Sequence, residues 1–171
     1  MEAVFRLWFL WSEAAQLYIK VAESACADVG LSFPQFSVLF IVKYSTGPVR
    51  ISDLAHYIHQ NPNSISMIVD RMARQGLVRR VKNQRDRRVV IIKLTGRGDR
   101  LLQKALPVTN QMVMTQTSVF SNVELAAFSS MLEKFRNKLY GTMEPDRLIQ
   151  GLKPEDIRRM IDALSLHNKS A

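Results

Sequence analysis

The sequence predicts a mainly α-helical fold with one small β-hairpin, an α+β arrangement. Three observations predict it. Apolar residues recur at three- and four-residue steps over most of the 171 residues. Capping residues, prolines and glycines punctuate those runs at helix-length intervals. One stretch departs from this pattern: two Val- and Ile-rich runs flank the polar Asn83-Gln-Arg-Asp-Arg-Arg88. That suits two strands joined by a charged loop.

The first helix spans residues 2–27. Val4, Phe5, Trp8, Trp11, Ala15, Tyr18, Val21, Ala22 and Ala25 fall at helical spacing, and Leu7, Leu10 and Leu17 add a second apolar side. A helix apolar around this much of its circumference needs more than one neighbour. In a small chain, a second subunit is an expected one. Gly30 suits the helix end. Ser32-Phe-Pro-Gln35 then forms a capping box opening a helix that carries Phe36, Leu39, Phe40 and Tyr44 as far as Gly47-Pro48. Val49-Arg-Ile51 reads as a short strand, and Ser52 as the cap of a brief helix ending near His59, with Leu54, Ala55 and Ile58 inward.

Asn61 is a good N-cap and Pro62 suits the first helical position. Ile65, Ile68, Val69 and Met72 form one stripe, and Gly76 suits the left-handed end. These two helices make a helix-turn-helix pair, and the hairpin follows. Thr95-Gly-Arg-Gly98 caps a long helix with Leu101, Leu102, Ala105, Val108, Met112 and Val119 on its apolar face; Pro107 predicts a kink or a break. Ser121-Asn-Val-Glu124 is a second capping box. Its helix runs to about Tyr140, with Leu125, Phe128, Met131, Leu132, Phe135 and Leu139 inward and Gly141 as the stop. A last helix begins at Pro154, with Ile157, Met160, Ile161 and Leu164 as its buried stripe, and the tail from Ser165 is expected to fray.

A hydrophobic share of 47% supports a packed core. Arg6, Glu13 and Lys20 interrupt the longest apolar runs, so no membrane span is expected. Glu2 and the lack of a cleavage site argue against a secretory signal. The single Cys26 fits a reducing compartment. Of the net charge of +9, all lies between Val49 and Lys104, where 13 Lys and Arg face 4 Asp and Glu. Charge concentrated on one helix-and-hairpin unit points to a polyanion; a solvated basic face is the duller alternative. A helix with a basic hairpin can engage two surfaces of one DNA duplex. No Gly-rich phosphate loop, nucleophile elbow or zinc signature occurs, so no enzyme, cofactor or metal is expected. His56 and His59 are three apart without a third ligand.

The chain resembles the MarR family over about residues 3–141. The resemblance is carried by Ser32-Phe-Pro-Gln-Phe36, Ile51-Ser-Asp-Leu-Ala55, Val69-Asp-Arg-Met72, Gly76-Leu-Val-Arg79 and Arg85-Asp-Arg-Arg88 with Leu94-Thr95. It implies a homodimeric winged helix-turn-helix regulator, here read as a repressor, that dimerises through its first and last helices. It further implies a recognition helix in the major groove of a pseudo-palindromic operator, a wing in the adjacent minor groove, and a small aromatic or phenolic effector. A cytoplasmic, nucleoid-associated location follows. Asn83 stands where an acidic residue often begins the family's wing loop, and Met67 where a basic residue is frequent. The expected parts are an N-terminal dimerisation helix (1–30), the winged helix-turn-helix (31–98), C-terminal dimerisation helices (99–143) and an extension (144–171) that the resemblance does not place.

Candidate DNA-binding residues on the recognition helix are Asn61, Asn63, Ser64, Ser66, Met67, Arg71 and Arg74. Asn and Ser bond base edges and Met touches a thymine methyl; surface polarity and capping are the alternative. Arg71 and Arg74 either meet phosphates or pair with acids near Asp70. On the wing the candidates are Arg85, Asp86, Arg87 and Arg88, with Asp86 orienting an arginine and, by the resemblance, Arg88 entering the minor groove. Arg50 and Ser52 are candidates for the DNA backbone. Trp8, Trp11, Tyr18, Phe36, Phe40 and Tyr44 either line an effector pocket or are ordinary core and dimer packing. Two other functions remain open: a winged-helix interaction module for an acidic partner, and a redox regulator acting through Cys26.

Overall fold

The computed structural model describes residues 1–82, 89–143 and 154–166. Its elements are α1 (Glu2–Ala27), α2 (Phe33–Tyr44), α3 (Ile51–Ile58), α4 (Pro62–Arg74), β1 (Val78–Lys82), β2 (Val90–Leu94), α5 (Gly96–Thr117), α6 (Asn122–Met143) and α7 (Pro154–Leu166). The strands pair antiparallel, with Val78 opposite Leu94 and Lys82 opposite Val90.

The core is built around α2, which packs against α1, α3, α4, α5, α7 and β2. Val38 and Leu39 at its centre are fully buried with Leu54 of α3, Ile65, Val69 and Met72 of α4, Val78 and Ile92 of the hairpin, and Leu102 and Leu106 of α5. Both ends of α2 are fixed by polar contacts. Ser32 and Gln35 exchange capping bonds, and Glu23 of α1 accepts the Phe33 N–H at 3.0 Å. At the other end Lys43 pairs with Asp99 of α5 at 2.7 Å.

Local chemistry explains several boundaries. Asn61 Oδ1 accepts the Asn63 N–H at 2.9 Å to start α4, and Gly76 (φ 68°) takes the left-handed turn after it. Thr95 Oγ1 accepts the Gly98 N–H at 3.0 Å to start α5, while Ser121 and Glu124 exchange bonds at the start of α6. The Ser121 N–H and hydroxyl, which both donate to Glu124 Oε2 at 2.8 Å, hold the Glu124 carboxyl below its ordinary value.

Other boundaries differ from expectation. Arg50, not Ser52, precedes the first turn of α3; its N–H donates to Asp53 Oδ2 at 2.8 Å, so the acid three residues on does the capping. The expected strand at 49–51 reduces to one bridge, in which Ile92 N–H donates to Val49 O at 2.8 Å. Pro107 does not break α5, and Val119 lies beyond that helix, exposed. Gly141 does not stop α6, which continues to Met143. On α7 the buried face is Asp156, Met160 and Ala163, whereas Ile157 and Ile161 are exposed. Helix α7 reaches Leu166; the rest of the tail lies outside the described residues.

One expectation about packing needs a larger correction. Phe128, Met131, Phe135 and Leu139 of α6 remain exposed, and Leu125 and Leu132 are only half-buried. Most of the apolar surface of α1 is open as well, with only Ala22 and Cys26 buried. The described residues of one chain do not cover these faces.

Candidate nucleic-acid interface

Helix α4 buries Ile65, Val69 and Met72 against the core. Asn63, Met67, Asp70 and Arg74, each two residues from that stripe and three or four from one another, fall on the opposite side. All four are exposed, as are Asn61, Ser64 and Arg71. Met67 is 68% exposed, an apolar side chain held in water at the middle of a polar face. Arg50 and Ser52, at the start of α3, are exposed too. Asn61 is partly committed, since its side-chain oxygen caps α4.

The sequence reading missed Arg80. From β1 its Nη2 donates to Ser66 Oγ at 3.0 Å and pairs with Asp70 Oδ1 at 2.7 Å. The pair is exposed, so its contribution to stability is at most about 1 kcal/mol. Its effect on charge is more consequential. Asp70 would otherwise present an anion on the outward face of α4, and Arg80 cancels it while tying the hairpin to the helix. The same bond engages Ser66, so that hydroxyl is already partnered. Among the described residues neither Arg71 nor Arg74 has an acidic partner. The available signal was Asp70 itself, an acid in the middle of an otherwise basic and neutral face.

Arg79, Lys82, Lys93, Arg97 and Arg100 are exposed on the hairpin and the first turns of α5, extending the positive surface. The wing-tip candidates Arg85, Asp86, Arg87 and Arg88, together with Asn83, lie outside the described residues.

The aromatic candidates separate into groups. Trp8 is 58% exposed and its ring meets Phe9, while Trp11 meets Phe135 of α6 at 5.3 Å between centroids. Tyr18 meets Phe33, and Phe33, Phe36, Phe40 and Tyr44 continue as a ring series along α2. Tyr18 is ten residues from Trp8, about 15 Å along a helix, so the six do not converge on one cavity. A cavity of about 770 Å³ lies instead between α1 and α5, lined by Val21, Ala25, Val108, Asn110, Met112 and Gln116 among others. Burial raises the Tyr18 hydroxyl above its ordinary value, with a smaller contribution from Cys26.

Cys26 is 2% exposed. Burial, with Glu23 second, pushes its thiol up to about 11. A thiol so held stays protonated near neutrality and makes a poor nucleophile, which weighs against the redox alternative. His56 and His59 rings are 6.3 Å apart, and Tyr140 of α6 sits beside His59. No helix among the described residues is long and apolar enough to cross a membrane.

A helix-turn-helix followed by an antiparallel wing and a long helix is thus on hand, and residues 31–90 match the MarR family model. Residues 31–90 carry a MarR-family domain. A similar curated relative is the uncharacterized HTH-type transcriptional regulator YsmB of Bacillus subtilis, 29% identical over 96 residues. That match covers 56% of this chain and 66% of YsmB, just under two thirds of the relative. Among solved structures, an organohalide-sensing transcriptional regulator in its 2,4-dichlorophenol-bound form superposes with a TM-score of 0.77 at 23% identity, covering 90% of each chain. A mutant MarR from E. coli complexed with operator DNA gives 0.70 at 19% identity, covering 78% of this chain and 95% of that one. At these identities the likeness concerns the fold.

Proposed function

We propose that the protein is a homodimeric, sequence-specific DNA-binding transcription regulator that acts as a repressor. The observation that carries this reading is the outward face of α4. It is exposed, polar and basic, with its one acid neutralised by Arg80 of the adjoining wing. Two such helices in a dimer would meet successive major grooves about 34–36 Å apart, which requires a pseudo-palindromic site. In this reading Asn63, Ser64 and Met67 face base edges. Arg50, Ser52, Arg71 and Arg74 face phosphates, and on the wing Arg88 enters the minor groove, with Arg85 and Arg87 nearer phosphates and Asp86 orienting a neighbouring arginine. The operator DNA in the E. coli MarR complex supports the comparison.

The open faces of α1 and α6 support a second copy as their cover. The cavity between α1 and α5 supports a small effector with both apolar and hydrogen-bonding groups, because Val21, Val108 and Met112 line it together with Ser24, Asn110, Gln111 and Gln116. The dichlorophenol form of the organohalide sensor points to the phenolic class.

Selection of bound duplexes from a random pool tests the first claim. The expected result is an inverted repeat bound at least about a thousandfold more tightly than random duplex, with affinity falling steeply as salt rises. Equal affinity for all duplexes would favour the alternative of an interaction module for acidic partners. Titration calorimetry with substituted phenols tests the effector: binding should weaken operator affinity, and absence of binding refutes that part alone.

A further inference from the structure

We propose that the C-terminal elements bracket α3, and that Asp156 and Tyr140 are positioning residues for the α3–α4 pair. The inference is a juxtaposition at both ends of one short helix. At the entry to α3, the Asp156 carboxylate of α7, 3% exposed, accepts the Thr46 N–H at 2.7 Å. Thr46 lies four residues before Arg50, whose N–H bonds Asp53 and begins α3. Between them Val49 accepts the Ile92 N–H of β2. One short loop therefore carries the α7 contact, the wing contact and the start of α3. At the exit, Tyr140 Oη of α6 lies 3.3 Å from His59 Nε2. His59 holds φ 55°, the left-handed turn that redirects the chain from α3 into α4.

The chemistry argues for a device rather than incidental packing. A carboxylate taken out of water is costly unless a donor compensates it, and a backbone N–H to an ionised acceptor is a strong hydrogen bond. Met160 and Ala163 already bury α7 in the core. Asp156 adds a reach beyond that apolar contact, onto the loop that leads into α3. Helix α3 packs directly on α4, and close-packed elements transmit small displacements. The placement of the recognition helix thus depends on residues past the winged-helix core. The effect on operator affinity rests on the DNA-binding reading above; the bracket itself does not.

Hydrogen exchange on the free, full-length protein tests the bracket. Asp156→Ala should speed exchange at Thr46 and residues 49–54 by about tenfold while leaving α5 unchanged. Asp156→Asn keeps an acceptor oxygen and should return most of that protection, whereas Asp156→Leu fills the space without an acceptor and should not, which separates the hydrogen bond from packing. Tyr140→Phe should speed exchange at residues 59–61. In the operator assay Asp156→Ala should weaken binding by about five- to tenfold, with affinity for random duplex unchanged. Unaltered exchange at 46–54, or faster exchange spread evenly over every element, overturns the bracket. Local loosening with unaltered operator affinity overturns its coupling to α4. A wild-type protein without site preference would count against the DNA-binding reading, and the exchange results would still judge the bracket.

Discussion

Gly98 offers the most direct test of how the wing is joined to the long helix. It sits in the first turn of α5, directly over the start of the hairpin. A Cβ built there would lie 2.0 Å from Leu77 O, 2.9 Å from Leu77 C and 3.3 Å from Leu77 Cα. These are backbone atoms, so no side chain can rotate away. Relief requires the helix to lift by about 1 Å, and interiors this dense resist such a shift. The lift acts on the bonds that Leu77 O receives from the Thr95 N–H and hydroxyl, each 3.1 Å long. Overpacking costs about 1–3 kcal/mol and a weakened hydrogen bond about 1 kcal/mol. The reduced backbone freedom of alanine in the unfolded chain returns about 0.4–1 kcal/mol. Gly98→Ala should therefore destabilise by roughly 2–3 kcal/mol, lowering the melting temperature by about 4–12 °C in a chain of this size. Gly96→Ala is the control, since its Cβ would meet only the flexible Arg100 Nη1 at 3.6 Å. Urea and thermal unfolding followed by circular dichroism measure both variants. Equal stability of Gly98→Ala and wild type would refute the claim that this contact is unyielding.

Other expectations follow from the same geometry. Arg80→Ala should weaken DNA binding by about 1–3 kcal/mol at fixed salt, and adding Asp70→Asn should recover part of the loss, because the uncovered anion is then gone; fluorescence anisotropy reads both. Arg88→Ala should weaken operator binding by a similar amount, about 1–3 kcal/mol, without lowering the melting temperature. Met131→Glu, on the open face of α6, should shift sedimentation from dimer toward monomer. The raised Cys26 thiol has a definite sign in pH titration. Its contribution to stability is complete below the ordinary value of 9.0 and is lost as pH rises through about 11. Iodoacetamide should accordingly label the native protein far more slowly than the urea-unfolded chain at pH 8.

Features decided within a few residues were legible in the sequence. The Ser32–Gln35 and Ser121–Glu124 boxes, the Asn61 cap and the left-handed Gly76 depend on chemistry three residues wide. Features decided across elements were not. Ser52 looked like a cap by type, yet Asp53 could serve Arg50 and moved the helix start forward by two residues. The predicted stripe of α7 is Ile157, Met160, Ile161 and Leu164; Met160 is buried, but it lies beside Ala163 and Asp156, which bonds the Thr46 N–H, and Ile157 and Ile161 face water. Asp70 had Arg74 available one turn on, and the structure pairs it with Arg80 from another strand. The aromatic residues shared a helical period without sharing a place, since Trp11 meets α6 while Phe36 and Phe40 stack along α2. Periodicity reports which face is apolar, not which neighbour it meets.

The uncovered aromatics of α1 and α6 have a consequence for dosage. With a second copy as their cover, folding and assembly become one equilibrium, and the melting point rises with protein concentration. Halving the number of chains in the dilute limit would then leave a quarter of the pairs. Occupancy of a weak site would follow the square of expression, so modest changes in synthesis would move such a promoter more sharply than a single-chain binder could.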